Sequence, residues 1–149
     1  MVRKIDNSKI EIAKEIYSIF QRSYKIEAQL LNATDFPPLK RPVSKFLNCN
    51  NEFFGYYLKK AIAGVIEIEN KKNIIHIQSL VVDPKHFRKG IGKELIKFVL
   101  TNYTSHIFTV ETGIKNYPAI SLYNSFHFKE ENQWDTNHGV RKIRFIKKM

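Results

Sequence analysis

The sequence predicts a mixed α/β fold of α+β character, in which six strand segments and four helical ones alternate along a single domain spanning residues 1–149. Three observations predict it. Runs rich in β-branched and aromatic residues follow one another across hairpin-sized gaps between Phe53 and Val82. After Asp83-Pro84 the apolar pattern changes from strand-like to helical spacing. No internal repeat, low-complexity stretch or linker divides the chain.

Taken in order, Ser8 and Glu11 have the spacing of a capping box, and Ile12, Ile16, Ile19 and Phe20 fall on one helical face, so a first helix is expected from about residue 9 to the low twenties. Asn32 to Pro42 contains three prolines, including the Pro37-Pro38 pair, and reads as a loop followed by a short helix at Val43 to Leu47. Phe53 to Leu58, Ala61 to Glu69 and Asn73 to Val82 read as three consecutive antiparallel strands, turning at Lys59-Lys60 and Asn70 to Lys72. From Gly92, the stripe Leu95, Ile96, Val99 and Leu100 predicts an amphipathic helix. His106 to Glu111 is a strand, Tyr117 to Phe126 a helix starting next to Pro118, and two last strands lie near Phe128 and at Lys142 to Ile146. The terminal RKIRFIKKM alternates cations with apolar residues, as an edge strand protected by charge would.

Composition narrows the function. Hydrophobic residues make up 43% of the chain and aromatics 13%, enough for a buried core and too apolar for global disorder. Twenty-five Lys and Arg against 14 Asp and Glu give a net charge of +11, a field that attracts anions such as phosphorylated small molecules, nucleic acid or acidic membranes. Cys49 is the only cysteine, so neither an intrachain disulfide nor a multi-cysteine zinc site can form, and with no neighbouring His or cation in sequence an inert thiol is expected. His86, His106, His127 and His138 make no H-x-x-x-H pair, so no metal is expected. Charges interrupt every apolar stretch of the N-terminus, and the runs FFGYYL and AIAGVI are only six residues long. Neither a signal peptide nor a membrane span is expected, and the expected location is cytoplasmic.

The most informative stretch is IQSLVVDPKHFRKGIGKELIKFVL, residues 77–100, which joins a buried strand to an amphipathic helix through a loop carrying Gly90, Gly92 and the cations Arg88, Lys89 and Lys93. Free backbone N–H groups and the dipole at a helix start favour phosphate oxygens, and glycines let backbone approach them closely. Neither a Walker loop nor a dinucleotide-binding fingerprint is present, because the first lacks its G-K-[ST] ending and the second its third glycine.

This segment resembles the GNAT superfamily of acyl-CoA-dependent N-acetyltransferases. The family's Q/R-x-x-G-x-G/A motif aligns with Phe87-Arg88-Lys89-Gly90-Ile91-Gly92, with Phe87 where the family prefers Gln or Arg. Residues 111–131, ETGIKNYPAISLYNSFHFKEE, resemble its second motif through Asn116, Ala119, Leu122, Tyr123 and Phe128, with His127 in place of the usual Gly. The resemblance covers residues 53–131 and implies a central, mostly antiparallel twisted sheet of about six to seven strands flanked by about four helices. It implies acetyl-CoA as cosubstrate, held by Leu80, Val81 and Val82 of the strand, by Arg88, Lys89, Gly90, Ile91, Gly92 and Lys93 of the loop and helix start, and by Asn116, Ala119 and Tyr123.

Amine attack on a thioester needs a base, a donor for the oxyanion and an acid for the departing thiolate. The resemblance places a general base at His76, the oxyanion donor at the backbone N–H of Leu80 and the acid at the Tyr123 hydroxyl. An imidazole with a reference pKa near ~6.5 suits proton removal at neutral pH, and a phenol near ~10 stays protonated there. Gln78, two residues beyond His76, is placed to position the amine or a water. Glu67 is the alternative base, provided the hairpin brings it beside His76, although its alternation with Ile66 and Ile68 also reads as a solvent-exposed face.

The leading expectation is therefore an N-acetyltransferase passing the acetyl group directly to a primary amine of a small molecule, peptide or protein, as a monomer or homodimer without a membrane partner. Two alternatives are a non-catalytic acyl-CoA sensor of the same fold and a basic nucleic-acid-binding module. The last is disfavoured because the positive charge is dispersed and no known nucleic-acid motif is present.

Overall fold

At the N-terminus Val2–Ile5 forms a strand, β1, through its antiparallel pairing with β2, Glu52–Leu58. The computed structural model describes all of residues 1–149. β2 continues antiparallel into β3, Ala61–Lys71, and β4, Ile74–Val82. Next come β5, Ile107–Gly113, β6, Lys129–Asp135, and β7, Arg141–Lys148. The seven strands form one sheet in the order β1-β2-β3-β4-β5-β7-β6, with β4 and β5 the one parallel pair. Four α-helices accompany it: α1 (Ile10–Leu30), α2 (Val43–Leu47), α3 (Ile91–Asn102) and α4 (Tyr117–Ser125). None is long and apolar enough to cross a membrane.

Several expectations change. β1 was missing from the expected order, because four residues, two of them cationic, are too few to establish a period. α1 extends well beyond the low twenties, since Tyr24 and Ala28 prolong the buried stripe of Ala13, Ile16, Ile19 and Phe20, and it ends where Asn32 takes a left-handed conformation with φ 52°. The capping box does not form: Lys9 is the N-cap, and Ser8 instead donates to Asp6. β7 is no edge strand. It lies between β5 and β6, and β6 takes the edge.

The sheet carries a core on each face. Ile66, Ile68, Ile75, Ile77, Phe108 and Val110 face α3 and α4. Ile5, Phe53, Ile62, Val65 and Val81 face Ile16, Ile19 and Phe20 of α1 and Phe46 of α2. β3 is buried on both sides over most of its length, which explains its nearly unbroken apolar run.

One irregularity shapes the molecule. Glu67 pairs with Ser79 and Ile68 with Ile77, so Gln78 is an extra residue in β4. At that point the sheet opens. β4 and β5 are paired only from Ile74 to Ile77 against Ile107 to Val110, although β4 runs on to Val82 and β5 to Gly113. A wedge-shaped gap follows between their C-terminal halves.

Candidate active site

The loop after β4 leads out of this gap. Asp83 is buried, accepts from the Lys85 N–H and pairs with Arg22 Nη2 of α1 at 2.7 Å. Burial raises its carboxyl, and the hydrogen bonds and charges of Arg22 and Lys85 together outweigh that, leaving it below the usual range. Pro84–His86 makes one 3-10 turn, and Arg88 takes a left-handed φ of 65°. Gly90, the N-cap of α3, is left-handed at φ 75°, and a Cβ built there meets nothing within 4 Å. Gly90 thus supplies the turn and leaves open space beside it. Gly92 serves another purpose, because a Cβ there would lie 3.3 Å from Leu122 Cδ2, so it lets α3 and α4 pack closely. The first bond of α3 runs from Glu94 N–H to the Gly90 carbonyl, so the N–H groups of Ile91, Gly92 and Lys93 project from the helix start without partners in the helix. Arg88, Lys89 and Lys93 surround them in sequence, and Phe87 is exposed.

Inside the gap the backbone of β4 is available. The Asp83 N–H donates to the Ala63 carbonyl, so by strand alternation Val81 and Ser79 also face β3, while Leu80 and Val82 turn their N–H groups toward the missing partner strand. Of the three strand residues expected to hold the cosubstrate, Leu80 and Val82 present backbone to the gap, and Val81 is engaged in the sheet with its side chain buried beneath α1.

On the far side, Asn116 is the N-cap of α4. Its side chain accepts from the Ala119 N–H and donates to Thr112 Oγ1 and to Glu27 Oε1 at 2.9 Å. Tyr123 packs its ring against Phe128 and Phe145 in the core beneath α3 and α4, and its hydroxyl makes no hydrogen bond within the chain. Burial raises the phenol far above its ordinary value, and the nearby Glu27 and Tyr24 add to this. Both of those residues belong to α1, across the sheet from α4.

His76 lies nearer the closed end of the wedge. Its Nδ1 is 2.8 Å from Thr109 Oγ1 on β5, and its register partner on β3 is Glu69. It lines an open groove of about 600 Å³ with Glu69, Gln78, Thr109, Glu111 and Arg144. Burial pulls the imidazole below its ordinary value, with the Glu111 charge opposing, so the ring is neutral at pH 7. Glu111 is itself bound by Arg144 Nη1 at 2.7 Å and Lys142 Nζ at 3.3 Å.

Glu67 differs from both readings of it. It is 1% exposed, so it belongs to no solvent face, and it stands opposite Ser79 instead of His76. Arg41 binds both its oxygens, at 2.8 and 3.1 Å, and Asn51 Nδ2 donates at 2.9 Å. Burial raises its carboxyl, but Arg41 outweighs that and holds it below the usual range. A carboxylate so saturated is a poor proton acceptor. Cys49 lies 3.5 Å from Glu67, and burial raises its thiol, so little thiolate forms.

Of the acidic residues of this region, Glu111 is unannounced in the sequence, whereas Glu27, like Asp35, reads there equally as a residue that attracts a cationic amine and as a solvent-exposed one. Glu111 is the second residue facing the groove after Thr109 on β5, and strand alternation was the only signal for it. Glu27 sits one helical turn beyond the expected end of α1, where only the continued apolar stripe would have placed it over the sheet.

The family model described as acetyltransferase (GNAT) domain matches residues 34–149. The UPF0157 protein YqkA of Bacillus subtilis is 31% identical over 131 residues, 87% of this chain and 38% of that protein. An N-alpha-acetyltransferase of Saccharolobus solfataricus is 28% identical over 88 residues, 54% of this chain and 53% of that one. The chain thus spans about two-fifths to one-half of the length of these relatives. Among solved structures, the ribosomal-protein-S18-alanine N-acetyltransferase of Escherichia coli superposes with a TM-score of 0.76 at 18% identity, covering 98% of this chain and 91% of that one. The PaiA N-acetyltransferase of Thermoplasma acidophilum, solved in complex with coenzyme A, gives 0.77 at 19% identity, covering 100% and 98%. At such identities the likeness is one of fold.

Proposed function

The chain belongs to the GNAT acetyltransferase family, and from that premise we propose that it transfers the acetyl group of acetyl-CoA directly to a primary amine of a small molecule, peptide or protein. One observation carries the reading: the unpartnered N–H groups at the start of α3 stand at the mouth of a gap whose inner wall is the free backbone of Leu80 and Val82. A phosphorylated, extended cosubstrate fits this arrangement. Its pyrophosphate meets Arg88, Lys89, Lys93 and the helix dipole, and its thioester arm replaces the strand pairing that β4 lacks. Ala119, in the first turn of α4, and Asn116 flank the opposite wall.

The chain's own groups then divide the chemistry. His76, neutral at pH 7, takes the proton of the attacking amine directly or through a water held by Gln78. The Leu80 N–H donates to the carbonyl oxygen as negative charge grows on it. Tyr123 keeps its proton at every physiological pH and has no competing partner within the chain, so its hydroxyl is free to donate to the departing sulfur. Glu67 is left out of the reaction, its oxygens being committed to Arg41 and Asn51.

The test is acetyl-CoA-dependent thiol release across a panel of small amines, polyamines, amino acids and peptides. Release above the hydrolytic background with at least one class, lost in His76→Ala, supports the reading. Equal release from wild type and His76→Ala removes His76 from it.

A further inference from the structure

The last turn of α1 crosses the open end of the wedge. Leu31 lies where a side chain at Gly113 would stand, so the bare backbone of β5 allows the helix to come down onto it. One turn earlier, Glu27 reaches Asn116, which is fixed by its bonds to Ala119 N–H and Thr112 Oγ1. The carboxylate is therefore aimed, with one oxygen engaged and the other without a hydrogen bond in the chain.

No cation neutralises it. The cation whose charge reaches it, Lys142 of β7, has its Nζ 3.3 Å from Glu111 instead. The other groups facing it are Tyr123 of α4 and, on its own helix, Tyr24, whose ring packs edge-on to Phe20 and Phe36. Burial consequently pushes the Glu27 carboxyl up to about 7. A half-buried carboxylate with a fixed direction, an idle oxygen and aromatic walls lacks one component, a positive charge.

We propose that Glu27 is the specificity-determining carboxylate that binds the acceptor as its ammonium ion, making the substrate class aliphatic primary amines that arrive protonated. This inference rests on the acetyl-transfer reading. The geometry supports it because α1 carries Glu27 to Asn116 at the start of α4, on the side of the sheet where the His76 groove also opens.

Glu27→Gln tests it, since the amide oxygen still accepts from Asn116 and only the charge is lost. Propylammonium, putrescine and alaninamide are titrated calorimetrically into the CoA-saturated protein at pH 8, and CoA-induced thermal stabilisation is measured separately. At least one amine is expected to bind wild type, at least tenfold more weakly to Glu27→Gln, with the CoA effect equal in both proteins. Wild-type affinity should fall as pH drops below about 7, and the variant's should not. Equal affinity in the two proteins, or no amine binding by wild type that CoA nevertheless stabilises, overturns the proposal. A wild type that CoA fails to stabilise removes the acetyl-transfer reading itself, and this inference with it.

Discussion

Glu67 and Glu27 both lie on the side of the sheet that faces α1, and their surroundings are opposite. Glu67 is enclosed beneath α2 with four neighbours on its two oxygens: both Arg41 nitrogens, Asn51 and Cys49. Arg41 is in turn stacked 4.0 Å from the centre of the Phe46 ring. Glu27 has one neutral donor and no counter-ion. A compensated carboxylate has its proton affinity lowered and becomes part of the scaffold, whereas an uncompensated one keeps a raised affinity and an unmet demand for charge. Burial alone therefore does not identify a functional acid. The number of partners already spent on it does.

The largest effect that sharpens this contrast is expected at Arg41. Arg41→Ala leaves the Glu67 charge buried without its partner and should cost about 3–5 kcal/mol in a urea unfolding titration. A loss below about 1 kcal/mol would mean that Glu67 is not held in the way described. Turnover per folded molecule is the complementary readout. His76→Ala should reduce it ~10²-fold or more and remove the acidic limb of the pH–rate profile, with CoA binding intact. Glu67→Gln should leave it near wild type. If those two phenotypes are exchanged, the base has been misassigned.

Tyr123→Phe comes next, because it deletes only a hydroxyl without a protein partner. Single-turnover rate should fall roughly 10-fold with the melting temperature nearly unchanged. A lowered melting temperature with normal turnover would make Tyr123 a packing residue.

The smallest expected effect is in the pH dependence of stability. The folded Glu27 carboxyl lies at about 7, above its value in the unfolded chain, so its contribution is fully present below about pH 4.5 and is lost as pH rises through 7. Relative to wild type, Glu27→Gln should gain on the order of 1 kcal/mol between pH 5 and pH 8, after allowance for solvent screening. A pH-independent difference would show that the carboxyl is not destabilised in place.

Much of the fold was legible in sequence wherever one element carried its own signal. The α3 stripe, the three hairpin strands and the glycine-bearing turn before α3 depend on local period and turn chemistry. What sequence hid depends on distant packing. Glu67 alternates with isoleucines as a surface residue would, and only the docking of α1 and α2 over that face buries it. The cationic terminal strand resembled an edge, yet it lies inside the sheet because its Lys142 and Arg144 find Glu111 and Glu131 on the strands to either side. The wedge itself depends on one unpaired residue, Gln78, whose bulge no pattern of residue types announces. Around the site, the residues sharing a face of one strand could be inferred in advance, and Glu27 could be read as attracting a cationic amine or as solvent-exposed, but its seating on Asn116, 89 positions away, could not be inferred.

The central claim is that the start of α3 and the β4–β5 gap receive coenzyme A. Thermal unfolding of wild type and Gly90→Asp, with and without CoA, tests it most directly. Aspartate is among the side chains that tolerate a positive φ, and the position has no neighbour within 4 Å, so the variant is expected to fold while placing a carboxylate where phosphate would lie. Wild type at a hundredfold excess of CoA over Kd should gain about 2.7 kcal/mol, roughly 5–10 °C for a chain of this size, and folded Gly90→Asp should gain almost nothing. No shift in wild type at millimolar CoA, or an equal shift in the two proteins, would contradict the account.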